Sequence, residues 1–157
     1  MKESYTKGRY VFNRQFSALW ASYQQVDFVS LSLVPRFSGC IITGANPMGK
    51  IYSKNENRRF NLSLSSALFR QHCHFITLWG AAKDNRHAEL SFYCQLSPHQ
   101  GISLARRFKQ LAIYTVNDRA RVELLSCVDS AFVSDLGSID SYWQCSARRY
   151  LKLRQQF

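Results

Sequence analysis

His87, Glu89 and Ser91 occupy alternate positions in the segment His87-Ala88-Glu89-Leu90-Ser91. In an extended strand alternate side chains project to one face. An imidazole, a carboxylate and a hydroxyl would then converge, with Leu90 and Phe92 pointing the other way. Such a trio supplies a base, a group that orients it, and a nucleophile or ligand contact. Asp84, just upstream, could join them. The same alternation also describes the polar side of an ordinary edge strand.

A second polar stretch, Asn46-Pro47-Met48-Gly49, follows the apolar run Phe37 to Thr43 and precedes a helix start at Ser53. Backbone N–H groups of such a loop, together with a helix N-terminus, attract anions. Arg58 or Arg59 could add bidentate contacts to a phosphate. The stretch is not a phosphate-binding loop of the Gly-x-x-x-x-Gly-Lys-Ser/Thr kind, nor the Gly-x-Gly-x-x-Gly dinucleotide pattern. A plain strand-to-helix turn with an ordinary cap would use the same residues. Asn46, Ser53, Arg58, Asp84, His87, Glu89 and Ser91 are therefore the candidate pocket residues, expected in one cleft that suits an anionic, nucleotide-like or phosphate-like ligand. They name no reaction. His72 and His74 share a strand face but lack third and fourth partners at metal-site spacing, so no metal and no cofactor is expected.

A third constellation is basic. Arg106, Arg107 and Lys109 flank Phe108, and Arg148, Arg149, Lys152 and Arg154 crowd the C-terminus among Tyr142, Trp143, Tyr150 and Leu153. The net charge is +11, from 21 Lys and Arg against 10 Asp and Glu. That excess favours nucleic acid or another polyanion, through phosphate contacts and base stacking on aromatics. Binding of a polyanion is the first functional expectation. A small-ligand protein or enzyme built on the pocket residues is the second, and a protein-interaction adaptor the third.

The elements that must position these residues follow from apolar spacing. Phe16, Leu19, Trp20 and Tyr23 recur at helical intervals, with Asn13 available as a cap. Residues 26–34 and 37–43 read as strands, the first stopped by Pro35. Ser53 and Glu56 have capping-box spacing ahead of Phe60, Leu64, Ala67 and Leu68. Strands are expected over 75–79 and 90–96, then a helix opened by Ser97-Pro98 and carrying Leu104, Ala105 and Phe108. Leu111–Val116 and Arg121–Val128 should form a hairpin around Asn117-Asp118. A terminal helix is expected from about Ser138. The order predicts one α+β domain over 1–157, with a largely antiparallel or mixed sheet and helices packed against it.

At 157 residues, 46% hydrophobic and 14% aromatic, the chain can fill one core. No apolar stretch approaches the roughly 20 residues of a membrane span, and the N-terminus does not read as a secretory signal. A cytoplasmic protein with no membrane contact is expected. Five widely spaced cysteines without a Cys-x-x-Cys pair read as free thiols.

Ile41 to Gly49, Ser53, Asn57 and Arg58, Gly80 to Asp84, His87 to Ser91, Phe108 and Gln110 to Tyr114 occur in an order and spacing that resemble a family of small bacterial proteins, domain of unknown function 3293. The resemblance covers roughly residues 25–130. It departs at Gly44, where the family pattern has Ala. It implies a compact cytosolic α/β-type domain and carries no established activity.

Overall fold

The computed structural model describes residues 14–157. Residues 14–23 form α1, and the Asn13 cap expected for it lies outside the described residues. Then follow β1 (Val26–Ser30), β2 (Gly39–Thr43), a short 3-10 turn (Pro47–Gly49) and α2 (Lys54–Arg70). β3 (Phe75–Ala82) and β4 (Ala88–Cys94) precede α3 (Pro98–Arg107), β5 (Ala112–Val116), β6 (Arg121–Ser126) and β7 (Val133–Ser138). A second 3-10 turn (Ile139–Ser141), β8 (Trp143–Cys145) and α4 (Ala147–Gln156) complete the order.

The eight strands form one mixed sheet in the order β7-β6-β5-β2-β4-β3-β1-β8. Every neighbouring pair is antiparallel except β1 with β8. β1 and β2 are consecutive in the chain, yet β4 and β3 lie between them. The fold is α+β.

Period-2 alternation sorts the sheet into two faces. On one, Cys40, Ile42, Phe92, Cys94 and Ile113 meet Leu64, Ala67 and Leu68 of α2 and Leu104 and Ala105 of α3. Further along that face Val29, Trp79, Ala81 and Ala88 receive Tyr150 and Leu153 of α4. On the other, Val26, Phe28, Ile41, Leu78 and Tyr93 pack with Val116, Val122 and Ile139. There Phe16 and Trp20 of α1 cover Leu111 and Leu124. The nine side chains that periodicity places in the core, Phe16, Trp20, Ile41, Ile42, Leu64, Leu68, Phe92, Leu104 and Ile113, are all at most 7% exposed. Both long-spaced caps form as capping boxes, Ser53 with Glu56 and Ser97 with Gln100.

Three boundaries differ from the expectation. β1 stops at Ser30, leaving Leu31 and Leu33 exposed. β3 runs on through Gly80-Ala81-Ala82, because these small residues pair with Val26, Asp27 and Phe28 of β1 and with Ala88 and Glu89 of β4. Residues 138–146 are not α-helical: after the 3-10 turn at Ile139–Ser141, Trp143–Cys145 adds a parallel edge strand to β1, and α-helix begins only at Ala147. Pairing with a strand more than a hundred residues away overrides local propensity there. All five cysteines are free, and Cys145 is exposed. No described helix is long and apolar enough to cross a membrane.

Candidate functional site

Between α1 and the sheet face it covers lies a cavity of about 280 Å³, at the small end of the range for ligand sites. α1 contributes Leu19, Ser22 and Tyr23; the sheet contributes Val26, Phe28, Ile41, Thr43, Gly80, Glu89, Ser91, Ala112, Tyr114 and Leu124. The loop after β2 supplies Asn46, Gly49 and Ile51, and Gln25, Ala81, Ala82, His87 and Gln110 complete the described wall. Most of this lining is apolar. Among the described residues Glu89 and His87 are its ionisable groups other than tyrosine, and no described Lys or Arg lines it.

Glu89 organises the polar corner. Its Oε1 accepts from Asn46 Nδ2 at 2.7 Å and lies 3.2 Å from His87 Nε2. Its Oε2 has no hydrogen-bond partner among the described residues. The β4 pleat places His87, Glu89 and Ser91 toward one side, and Asn46 reaches them from across the β2–α2 loop. Asn46 sits in the left-handed region, at φ 48°, which Asn tolerates better than most residues. Its Oδ1 accepts from Tyr52 N at 2.9 Å and Asn57 Nδ2 at 3.0 Å, so the amide is locked with its Nδ2 toward Glu89. The Glu89 hydrogen bond, and then its charge, raise the His87 pKa above the usual 6.5 against the opposing effect of burial.

The loop backbone, read as an anion cradle in the sequence, is already satisfied. Gly44 N donates to Asn61 Oδ1 at 2.8 Å, Ala45 N to Thr43 Oγ1 at 3.0 Å, and Asn46 N to Asn57 Oδ1 at 2.8 Å. Met48 N donates to Lys109 O, Gly49 N to Asn46 O and Lys50 N to Pro47 O. Gln110 Nε2 donates to Ala45 O at 3.0 Å, pinning the loop from the other side. The N-terminus of α2 is closed in the same way: Ser53 Oγ accepts from Glu56 N, and Glu56 Oε2 accepts from both Ser53 N and Ser53 Oγ. These bonds hold the Glu56 carboxyl below its usual pKa. Gly44 is needed because a Cβ there would stand 2.8 Å from Phe60 O, so α2 packs against the loop backbone itself.

Three of the hydroxyls around the cavity, those of Ser91, Thr43 and Tyr114, are also engaged. Ser91 Oγ donates to Glu89 O at 3.1 Å and Thr43 Oγ1 to Leu90 O at 2.8 Å, so neither is held by a base. Tyr114 Oη donates to Tyr23 O at 2.6 Å. Burial, then the charge of Glu89, pushes the Tyr23 phenol up to about 12 and the Tyr114 phenol well above its usual value. Both phenols stay protonated at neutral pH.

Of the seven pocket candidates, the cavity brings together Asn46, His87, Glu89 and Ser91. Ser53 and Arg58 stand exposed on α2 outside the lining, and Asp84 lies in the β3–β4 turn, where its Oδ1 accepts from Arg86 N at 3.0 Å. Arg58, expected to supply a cationic wall, instead points into solvent from a different layer, and no other described Lys or Arg takes its place. Among the basic candidates, Arg149 is spent inside the fold. It pairs with buried Asp27 at 2.8 Å and also donates to Asn85, Gln144 and Ala82. Arg106 Nε donates to Cys127 O at 2.7 Å. Arg107, Lys109, Arg148, Lys152 and Arg154 are exposed. The residues that sequence reading missed are Gln110, Tyr114, Tyr23, Gly80 and the Asn57–Asn61 pair. A buried-polar signal existed for the asparagines: Asn57 and Asn61 fall one turn apart on the side of α2 that faces the loop. Among the described residues no group of three or more His, Cys, Asp or Glu gathers to hold a metal ion.

Residues 42–113 match a family model described as Protein of unknown function (DUF3293). No curated protein and no solved structure matches the chain. The matched span holds Asn46, Asn57, Asn61, Gly80, His87, Glu89, Ser91 and Gln110, the whole polar corner; α1 and α4 lie outside it.

Proposed function

We propose that this domain binds a small ligand with an apolar, flat body and an N–H donor or cationic head, such as an amine, an amidine or the donor edge of a heterocycle. The observation that carries the reading is Glu89: a carboxylate held on one oxygen by Asn46 and His87, with no partner on the other oxygen among the described residues, inside a mostly apolar cavity. A fixed carboxylate in such surroundings pairs strongly with a donor and repels an anion. With the loop amides already used and no Lys or Arg in the lining among the described residues, a phosphate finds no partner among them. The engaged hydroxyls of Ser91 and Thr43 favour binding over covalent chemistry.

Calorimetric titration with benzamidine and its anionic counterpart benzoate tests this. The reading expects benzamidine to bind and benzoate not to. Equal affinity for both, or preference for benzoate, contradicts it.

A further inference from the structure

The helices that cover the opposite sheet face carry most of the surplus charge. α2 holds four Lys or Arg, α3 two and α4 four, against one acid, Glu56, which is consumed in the α2 cap. Acids gather elsewhere: Asp118, Glu123, Asp129, Asp135 and Asp140 all fall between the β5–β6 turn and the second 3-10 turn.

Three helix ends border one another. The carbonyl of Lys109, just past α3, accepts from Met48 N at 2.8 Å in the loop leading to α2. Lys54 Nζ, at the first residue of α2, donates to the carbonyl of Gln155 near the end of α4 at 3.1 Å. The C-terminal ends of α3 and α4 thus flank the N-terminal end of α2. Around them Arg58, Arg59, Arg107, Lys109, Lys152 and Arg154 are all exposed. None of the six side chains makes a hydrogen bond or salt bridge among the described residues. Cations at the ends of α3 and α4 complement the helix dipoles. Arg58 and Arg59 lie in the second turn of α2, beyond the reach of its dipole, and of the two only Arg59 acts on the helix's one acid, Glu56.

We propose that this rim binds the phosphodiester backbone of a nucleic acid without reading its sequence. Four of the six are arginines, whose planar fork matches phosphate oxygens. An anionic membrane is disfavoured because the main apolar stripes of α2 and α4 are buried against the sheet; the apolar side chains these helices still expose, Leu62 and Phe69 on α2 with Ser65 and Ser66 between them and Leu151 on α4, form no continuous face to insert. The proposal stands independently of the cavity.

The test is fluorescence anisotropy with a labelled, mixed-sequence DNA duplex of about two helical turns, titrated over a range of salt. Six phosphate contacts give a slope of log affinity against log salt of about −5. Changing all six residues to Gln should remove most of that slope and weaken binding by more than about tenfold at low salt. A variant carrying Arg→Lys at the four arginines keeps the slope, as does Arg70→Gln with Arg119→Gln, which are basic but lie away from the rim. Circular dichroism melting confirms that the six-Gln variant is folded. No binding by the wild type, an unchanged slope in the folded six-Gln variant, or binding to phosphatidylserine vesicles in place of the duplex overturns the proposal.

Discussion

On the α1 side of the sheet, Glu89, Asn46 and His87 are held to one another among mostly apolar walls, and the neighbouring loop amides and the Ser91 hydroxyl already have partners. On the helical side, the side chains of Arg58, Arg59, Arg107, Lys109, Lys152 and Arg154 stand in solvent without a hydrogen bond or salt bridge among the described residues. The contrast separates two kinds of recognition. A locked carboxylate in a mostly apolar cavity selects shape and sign at short range. Loose surface cations act at long range, tolerate sequence variation and fade with salt. The net charge of +11 therefore describes the second region and misdescribes the first.

Arg149 sharpens the boundary between them, because it belongs to the helical layer by position and to the core by contact. Arg149→Met leaves Asp27 buried and unpaired, and should destabilise the fold by about 3–5 kcal/mol, read by urea denaturation. The salt slope for DNA should not change in that variant under conditions where it stays folded. A loss of slope without loss of stability would put Arg149 on the surface instead.

Next in size is Glu89→Gln. It keeps the shape of the corner and removes the charge, so benzamidine affinity should fall by about 1.5–3 kcal/mol, the worth of a hydrogen bond to a charged group. Duplex affinity should be unchanged. Equal weakening of both would mean that the two faces act as one site.

Ser53→Ala removes the α2 capping box and should cost about 1 kcal/mol of stability. Because that helix end is closed by its own residues, benzamidine binding should be unaffected, as isothermal titration would show.

The smallest effect is on pH. Protonated His87 offers Glu89 a competing cation, so benzamidine should bind more tightly as pH rises through the His87 pKa, which lies above 6.5. His87→Gln should flatten that profile. For the fold the sign is opposite: a raised pKa stabilises below the unfolded value, and that contribution is lost as pH rises through the folded one. With the side chain of His87 51% exposed, the stability change should be slight.

Much of this was legible in the residues themselves. The 3.6 spacing of Leu64, Ala67 and Leu68 and the Ser53–Glu56 box define α2, and the alternation of His87, Glu89 and Ser91 puts them on one side. The loop was not legible in the same way. Gly-Ala-Asn-Pro reads as open backbone, and only the fold reveals that Asn57 and Asn61, on the following helix, already accept its N–H groups. The Asp27–Arg149 pair spans 122 positions, so local pattern counted Arg149 with the free cations. The same distance effect hid β8, whose partner β1 lies at the other end of the chain.

The central claim is that the cavity beside Glu89 is where a small ligand sits, and Gly80 gives direct access to it. A Cβ at Gly80 would meet only ordinary contacts, 3.6 Å from Ser91 Oγ and 3.8 Å from Val26, and a β-branched residue suits mid-strand geometry. Gly80→Val should therefore fold with an unchanged melting temperature while its methyl groups occupy the space beside Glu89. Calorimetric titration of this variant with benzamidine should show binding abolished, with duplex affinity retained. Benzamidine binding at wild-type affinity in the folded variant would contradict the account.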